Sequence, residues 1–170
     1  MKIFFLGALA AAGMILPLAA PAAEGGPGLQ LYGVVDAGIA VTKISGQGSH
    51  AGLLNGGLTD SLWGLAGTED MGGGWRSRFQ LESGFDPSSG KAADDGRLFN
   101  YAAWVGLGHD GYGELRLGRQ HPVGQVYGNA LEIASWKEMG MGATFKASDN
   151  YQFDNLVNYY SPVWQGFQAG

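Results

Sequence analysis

The stretch "GGGWRSRFQLESGF", Gly72 to Phe85, alternates without a break. Trp75, Phe79, Leu81 and Phe85 share one parity, softened only by Ser77 and Ser83; Arg76, Arg78, Gln80 and Glu82 share the other. A period of two marks a β-strand whose faces meet different surroundings. One face wants apolar neighbours. The other carries both signs of charge and wants water.

Composition narrows the surroundings. The chain has 170 residues, room for one modest domain. Glycine occurs 31 times, proline only six, and 12% of residues are Phe, Trp or Tyr, which excludes collagen-like and disordered classes. A formal charge of −5 gives no basic footprint for nucleic acid. The lack of cysteine removes disulfides, Cys-zinc sites and thiol nucleophiles.

The first residues, "MKIFFLGALAAAGMILPLAAPAA", open with Lys2, run through an apolar core from Ile3 to Leu18, and end in small residues. Ala20-Pro21-Ala22 has the small-x-small form of a signal-peptidase site, so residues 1–22 are expected to be a cleaved export signal. The rival is an uncleaved membrane anchor, since the apolar run nearly reaches bilayer length. Pro17, the glycines and the cleavage site weigh against it.

The remainder alternates between strand-like runs and glycine-rich turns. In "LQLYGVVDAGIAVTK", Leu29, Leu31, Val35, Ala37, Ile39 and Val41 oppose Gln30, Tyr32, Asp36 and Thr42, which predicts one strand over 29–43. "SLWGLAGTED", the opening stretch, about Leu98 to Gly108, "GELRLGRQ" and about Asp154 to Ser161 are the next five, and "QGFQAG" begins a seventh. Turns at Glu69–Gly74 and His109–Gly113 are short; those at Lys43–Leu58, Asp86–Gly96 and His121–Tyr151 are long and polar. Short turns at one end and long loops at the other suit an outer-membrane barrel.

Any antiparallel sheet over a core shows one-sided alternation. Here, however, apolar faces recur on nearly every strand with no helix left to cover them. The polar faces carry both charges, and Trp63, Trp75, Phe85 and Trp104 lie near strand ends, where interfacial girdles belong. Lipid on one face and water on the other satisfies all three. The expected class is all-β: a transmembrane antiparallel barrel, incomplete in this chain.

Other patterns carry less. "GLGHDG", Gly106 to Gly111, matches a dinucleotide-binding string, but that site needs a helix after it and "GYGELRLGRQ" predicts a strand. His50, His109 and His121 lie apart in different loops or turns, without zinc-site spacing. Glu82 and Asp86 would stand about 13 Å apart along a strand, too far for a retaining glycosidase pair. No G-x-S-x-G string offers a nucleophile. No enzyme, cofactor or metal is expected.

The segments "LYGVVDAGI", "WGLAGTEDMGGG", "FQLESGF", "GRLFN", "WVGLG", "LRLGRQ" and "NYYSP" occur in the order and about the spacing of the Gram-negative general porins, and the chain resembles the β-proteobacterial branch most. The resemblance covers Leu29 to Gly170 and implies trimers of sixteen-stranded barrels. It implies passage of ions and small hydrophilic solutes, with a long loop folded into the lumen against basic wall residues. That loop would be about 121–150, with Glu132, Glu138 and Asp149 as acids against Lys137 and Lys146. Pore-lining candidates are Asp36, Leu62, Arg76, Arg78, Gln80, Glu82, Tyr101, Glu114, Arg116 and Gln152. Where the family usually has arginine, this chain has Leu62 and Tyr101, and a loose alignment adds Gln152. Losing wall cations while keeping loop carboxylates leans the expected pore toward cations.

Six strands and a beginning are too few for that barrel, because open sheet edges are costly in hydrocarbon. The chain is therefore expected to be the N-terminal part (residues 23–170 after the signal) of a longer porin. The alternatives are a truncated remnant without pore activity, a small eight-stranded barrel using loop segments as strands, or a soluble exported β-sheet binding domain.

Overall fold

The computed structural model describes residues 28–44, 47–57, 59–129 and 152–170. They form β1 (Gly28–Val34), β2 (Ala37–Ile44), β3 (Gln47–Asn55), β4 (Leu62–Gly72), β5 (Trp75–Gly84), β6 (Ala102–His109), β7 (Gly113–Gln120), α1 (Val123–Asn129) and β8 (Phe153–Tyr160). Six strands make one antiparallel sheet in the order β1-β4-β5-β6-β7-β8, and β2 pairs with β3. The all-β expectation holds, with eight strands among the described residues in place of the six and a beginning expected.

The count differs because the strand expected over 29–43 is broken and the loop expected at Lys43–Leu58 is mostly strand. β1 leaves the β4 ladder at Val34, and β2 turns straight back into β3. The described residues between β3 and β4 stand beside Val35 and Asp36 alone, as an outsized bulge. Asp36 closes it. Its carboxylate accepts Thr59 N–H at 2.8 Å, its carbonyl accepts Gly56 N–H at 3.1 Å, and its N–H donates to Ser61 Oγ at 3.0 Å. Short polar side chains that bond nearby backbone compete with the ladder, and here that competition wins. His50 accordingly lies on β3, not in a loop.

The hairpins fall where the short turns are expected. Gly72, Gly73 and Gly74 all have positive φ, a conformation open to glycine, and join β4 to β5. "GLGHDG" runs out of β6 into the turn before β7; a strand follows it where a nucleotide site needs a helix. At two places the expected strands shrink. Residues 98–101 form a turn before β6 starts at Ala102, because Asn100 Oδ1 caps Gly84 N–H at 2.8 Å from the side. "QGFQAG" belongs to a tight reversal in which Trp164 and Phe167 bridge around Gln165 (φ 49°) and Gly166 (φ 88°). That turn replaces the expected seventh strand.

Burial is inverted relative to a water-soluble sheet. Among the described residues, the buried hydrophobics are only Ala66, Ala102, Trp104 and Tyr160, while Ser61, Ser83, Asn100, Glu114, Gln120 and Asn158 are buried polar groups. Leu29, Leu31, Ile39, Val41, Val105, Leu115, Leu117 and Val157 are exposed. They recur at every second position within their strands, an apolar exposure that a soluble sheet would bury. Hydrocarbon is the medium that such a face fits. No helix among the described residues is long and apolar enough to cross a membrane.

Ser61 is the most deeply buried side chain in the bulge, and its hydroxyl both accepts from Asp36 N–H and donates to Asp36 carbonyl at 3.1 Å. Ser61→Ala takes the acceptor from Asp36 N–H, while Gly56 N–H still serves the Asp36 carbonyl, and is expected to destabilise the fold by about 1–3 kcal/mol. Urea unfolding followed by loss of β-sheet circular dichroism checks it.

Candidate functional site

The register sorts side chains between the two faces of the sheet. Gly64, Glu82 and Ala102 lie in one cross-strand row, Ala66, Gln80, Trp104 and Gly118 in the next, and Arg78, Gly106 and Arg116 in a third. β1 adds Tyr32 beside Gly64, and β8 adds Asn158 beside Arg116 and Tyr160 beside Glu114. These residues share one face by strand parity, the face opposite the exposed aliphatics.

Hydrogen bonds and ion pairs join them into one polar wall. Tyr32 donates its hydroxyl to Glu82 Oε1 at 2.8 Å, and Gln80 Nε2 donates to Tyr32 Oη at 2.7 Å and to Glu82 Oε1 at 3.0 Å. Trp104 Nε1 donates to Gln80 Oε1 at 3.1 Å. Glu114, 6% exposed, takes Arg78 at 2.9 Å on one oxygen and Arg116 at 2.7 Å on the other. The Arg116 guanidinium also sits 4.5 Å from the ring centres of both Trp104 and Tyr160, a two-sided cation–π contact. Arg76 reaches Asp110 at 2.6 Å. Glu82 has no cationic partner among the described residues.

Most of the expected wall residues thus converge. Arg76, Arg78, Gln80, Glu82, Glu114 and Arg116 share the polar face. Leu62 pairs with Gly84 on that side, and the Tyr101 ring covers Gly84. Asp36 is different: it lies at the break between β1 and β2, with its carboxylate engaged by Thr59. Gln152 sits before β8 beside His121, 3.2 Å from its Nε2. Glu132, Lys137, Glu138, Lys146 and Asp149 fall outside the described residues. Within the expected inward loop, α1 is described, and its Tyr127 packs edge-on to Tyr160 with 6.4 Å between ring centres.

One expectation needs correction. Trp104 was expected in a lipid-facing girdle; it is 6% exposed on the polar wall, because its place in β6 has the parity of Gly106 and not of Val105. Parity in β6 was the signal. Trp63 and Trp75 do lie on the apolar face, and Trp75 clusters with His109 (4.7 Å) and Tyr112 (6.3 Å) at the short-turn end. Other contacts join residues that sequence order does not bring together. Arg97 and Arg119 share Asp154 at 2.6 and 2.9 Å, tying the β5–β6 connection to the start of β8.

A model of the Gram-negative porin family matches residues 8–170 of this sequence. The chain belongs to that family. An outer membrane porin protein of Bordetella pertussis is 36% identical over 167 residues, covering 89% of this chain and 43% of the relative. Outer membrane porin protein 32 of Delftia acidovorans is 35% identical over 170 residues, 92% of this chain and 47% of its own length. Among solved structures, an anion-selective porin from Comamonas acidovorans superposes with a TM-score of 0.68 at 30% identity, over 82% of this chain and 44% of that one. The chain spans just under half the length of these relatives. Membership places it with the porins of the Gram-negative outer membrane. Anion selectivity describes the solved neighbour; no likeness carries a cation preference to this porin.

Two predictions follow from these contacts. Glu114→Ala strands Arg78 and Arg116 together in the porin wall and is expected to destabilise it by about 3 kcal/mol, measured as earlier unfolding in urea. In the β5–β6 connection, hydrogen bonds from the Ser89 hydroxyl, then from the Ser88 hydroxyl and N–H, hold Asp86 below the usual carboxylate range. A lowered folded pKa means stabilisation present above the unfolded value and lost as pH falls through the folded one. Replacing both serines by alanine should raise the Asp86 pKa toward normal, as read by carboxyl-carbon NMR titration.

Proposed function

We propose that this chain builds part of the wall of a passive, water-filled pore through which ions and small hydrophilic solutes diffuse across the outer membrane. The inverted burial carries the reading: an apolar belt outside and a charged, hydrogen-bonded wall inside require two solvents at once. No cofactor and no turnover enter. Residues 1–22 would direct export and be removed. The segment 121–150 would fold inward and set the constriction, with Glu132, Glu138 and Asp149 facing the wall and Lys137 and Lys146 among them. The assembled porin would be a homotrimer in contact with outer-membrane lipid.

Its selectivity leans toward cations in this reading. Field lines focus in a narrow aqueous gap between low-dielectric walls, so few charges decide the sign. Leu62 and Tyr101 stand where the family usually carries arginine, and Gln152 replaces a third on a looser alignment. The cations that remain support the same direction, since Arg76, Arg78 and Arg116 are each engaged by a carboxylate. Glu82 meets only the neutral donors Tyr32 and Gln80 among the described residues.

Reversal potentials across planar bilayers under a potassium chloride gradient test this with the native outer-membrane protein. The expected sign is cation preference, and Leu62→Arg with Tyr101→Arg should move it toward anions. Anion preference in the unmutated protein would sink the selectivity. A folded, membrane-inserted protein with no conductance would sink the pore and leave the remnant reading.

A further inference from the structure

The three contacts that define the polar wall share a geometry that strand pairing alone does not predict. Arg78 lies on β5 and Glu114 on β7, with β6 between them. Neighbouring strands stand about 4.8 Å apart, so this 2.9 Å ion pair spans two spacings. The residue beneath it is Gly106, register partner of Arg78 on one side and of Arg116 on the other. A Cβ added at Gly106 would lie 3.2 Å from Glu114 Oε1, 3.3 Å from Arg116 Cγ and 3.3 Å from the Leu115 carbonyl. The Glu114 carboxylate and the Arg116 stem thus crowd the space where a side chain at 106 would begin.

The same construction recurs. Tyr32 on β1 reaches Glu82 on β5 across β4, and the residue crossed is Gly64, paired with both. A Cβ there would come 2.6 Å from the Tyr32 hydroxyl oxygen. Arg76 lies over Gly108 in like manner, with its Nε 3.2 Å from the Cβ position, on its way to Asp110. At Gly64, Gly106 and Gly108, long side chains thus lie flat along the wall over a glycine of the next strand.

We infer that Gly106 is a positioning residue of the porin wall: its missing side chain lets Glu114 hold Arg78 and Arg116 against the sheet, and so sets how far both guanidinium groups project toward permeating ions. The idea rests on the pore reading for its consequence but not for its geometry. With a side chain at position 106, the bridge is displaced, both arginines lose Glu114, and their charge moves away from the wall. The bore narrows and its inner surface turns more positive.

Gly106→Val in the native outer-membrane protein tests it by two readouts. In detergent solution, phenylglyoxal should modify Arg78 and Arg116 several-fold faster than in the unmutated protein, located by peptide mass. In planar bilayers, single-channel conductance should roughly halve, with the reversal potential shifted toward anions. Adding Arg116→Ala makes room again, and Arg78 should return toward its slow rate; a merely structural loss would not be repaired by deleting a second contact. If Gly106→Val does not fold, Gly106→Ala gives the same readouts with smaller amplitude. Unchanged arginine reactivity in a folded variant would overturn the inference. A protein that never conducts, yet shows the faster modification, would fail the pore reading and keep the role of Gly106.

Discussion

In hydrocarbon the backbone has no water to bond, so each strand must satisfy its amides on its neighbours along the whole crossing. That constraint locks the register, and a locked register with a two-residue period locks which side chains meet lipid and which meet the lumen. Everything else in this porin follows from that alternation. Leu115 and Leu117 are exposed because their parity is outward, and Glu114 is buried because its parity is inward. In a soluble sheet the same two observations would be faults.

The inward face then has its own difficulty. Charges crowded on a low-dielectric wall are costly unless each finds a partner. Here they are matched in place: Glu114 between Arg78 and Arg116, Arg76 with Asp110, and Glu82 within reach of two neutral donors. The Arg116 guanidinium is further fixed between two rings. A wall built this way is electrostatically quiet over much of its area, which leaves the sign of the remaining field to few residues. The glycines of neighbouring strands make the matching possible, since partners two strands apart meet only where nothing stands between them.

Strand existence, the apolar and polar parities, and the short turns were legible, because period-two alternation and glycine clusters are local signals. Three features were not. The break at Asp36 looks like continued alternation, since Asp36 has the parity of a lumen residue; only its contacts with Thr59 and Ser61 reveal a staple. β3 was hidden in a segment of glycine and polar residues, and strand pairing with β2 overrode its weak propensity. Trp104 was placed by its chemistry, although the parity of β6 already set it among the inward residues.

By itself the amino-acid sequence determined the fold class, the face presented by the strands with clear alternation, and the family, since seven ordered segments and a period of two need no third dimension. The tertiary structure decided who partners whom. Arg78 and Glu114 are 36 residues apart, and Arg97 and Asp154 are 57 apart, so no local pattern joins them. They meet because the ladder brings their strands and connections together. Whether a polar side chain then becomes a lumenal charge or a neutralised one depends on which residue, glycine or larger, the register sets beside it.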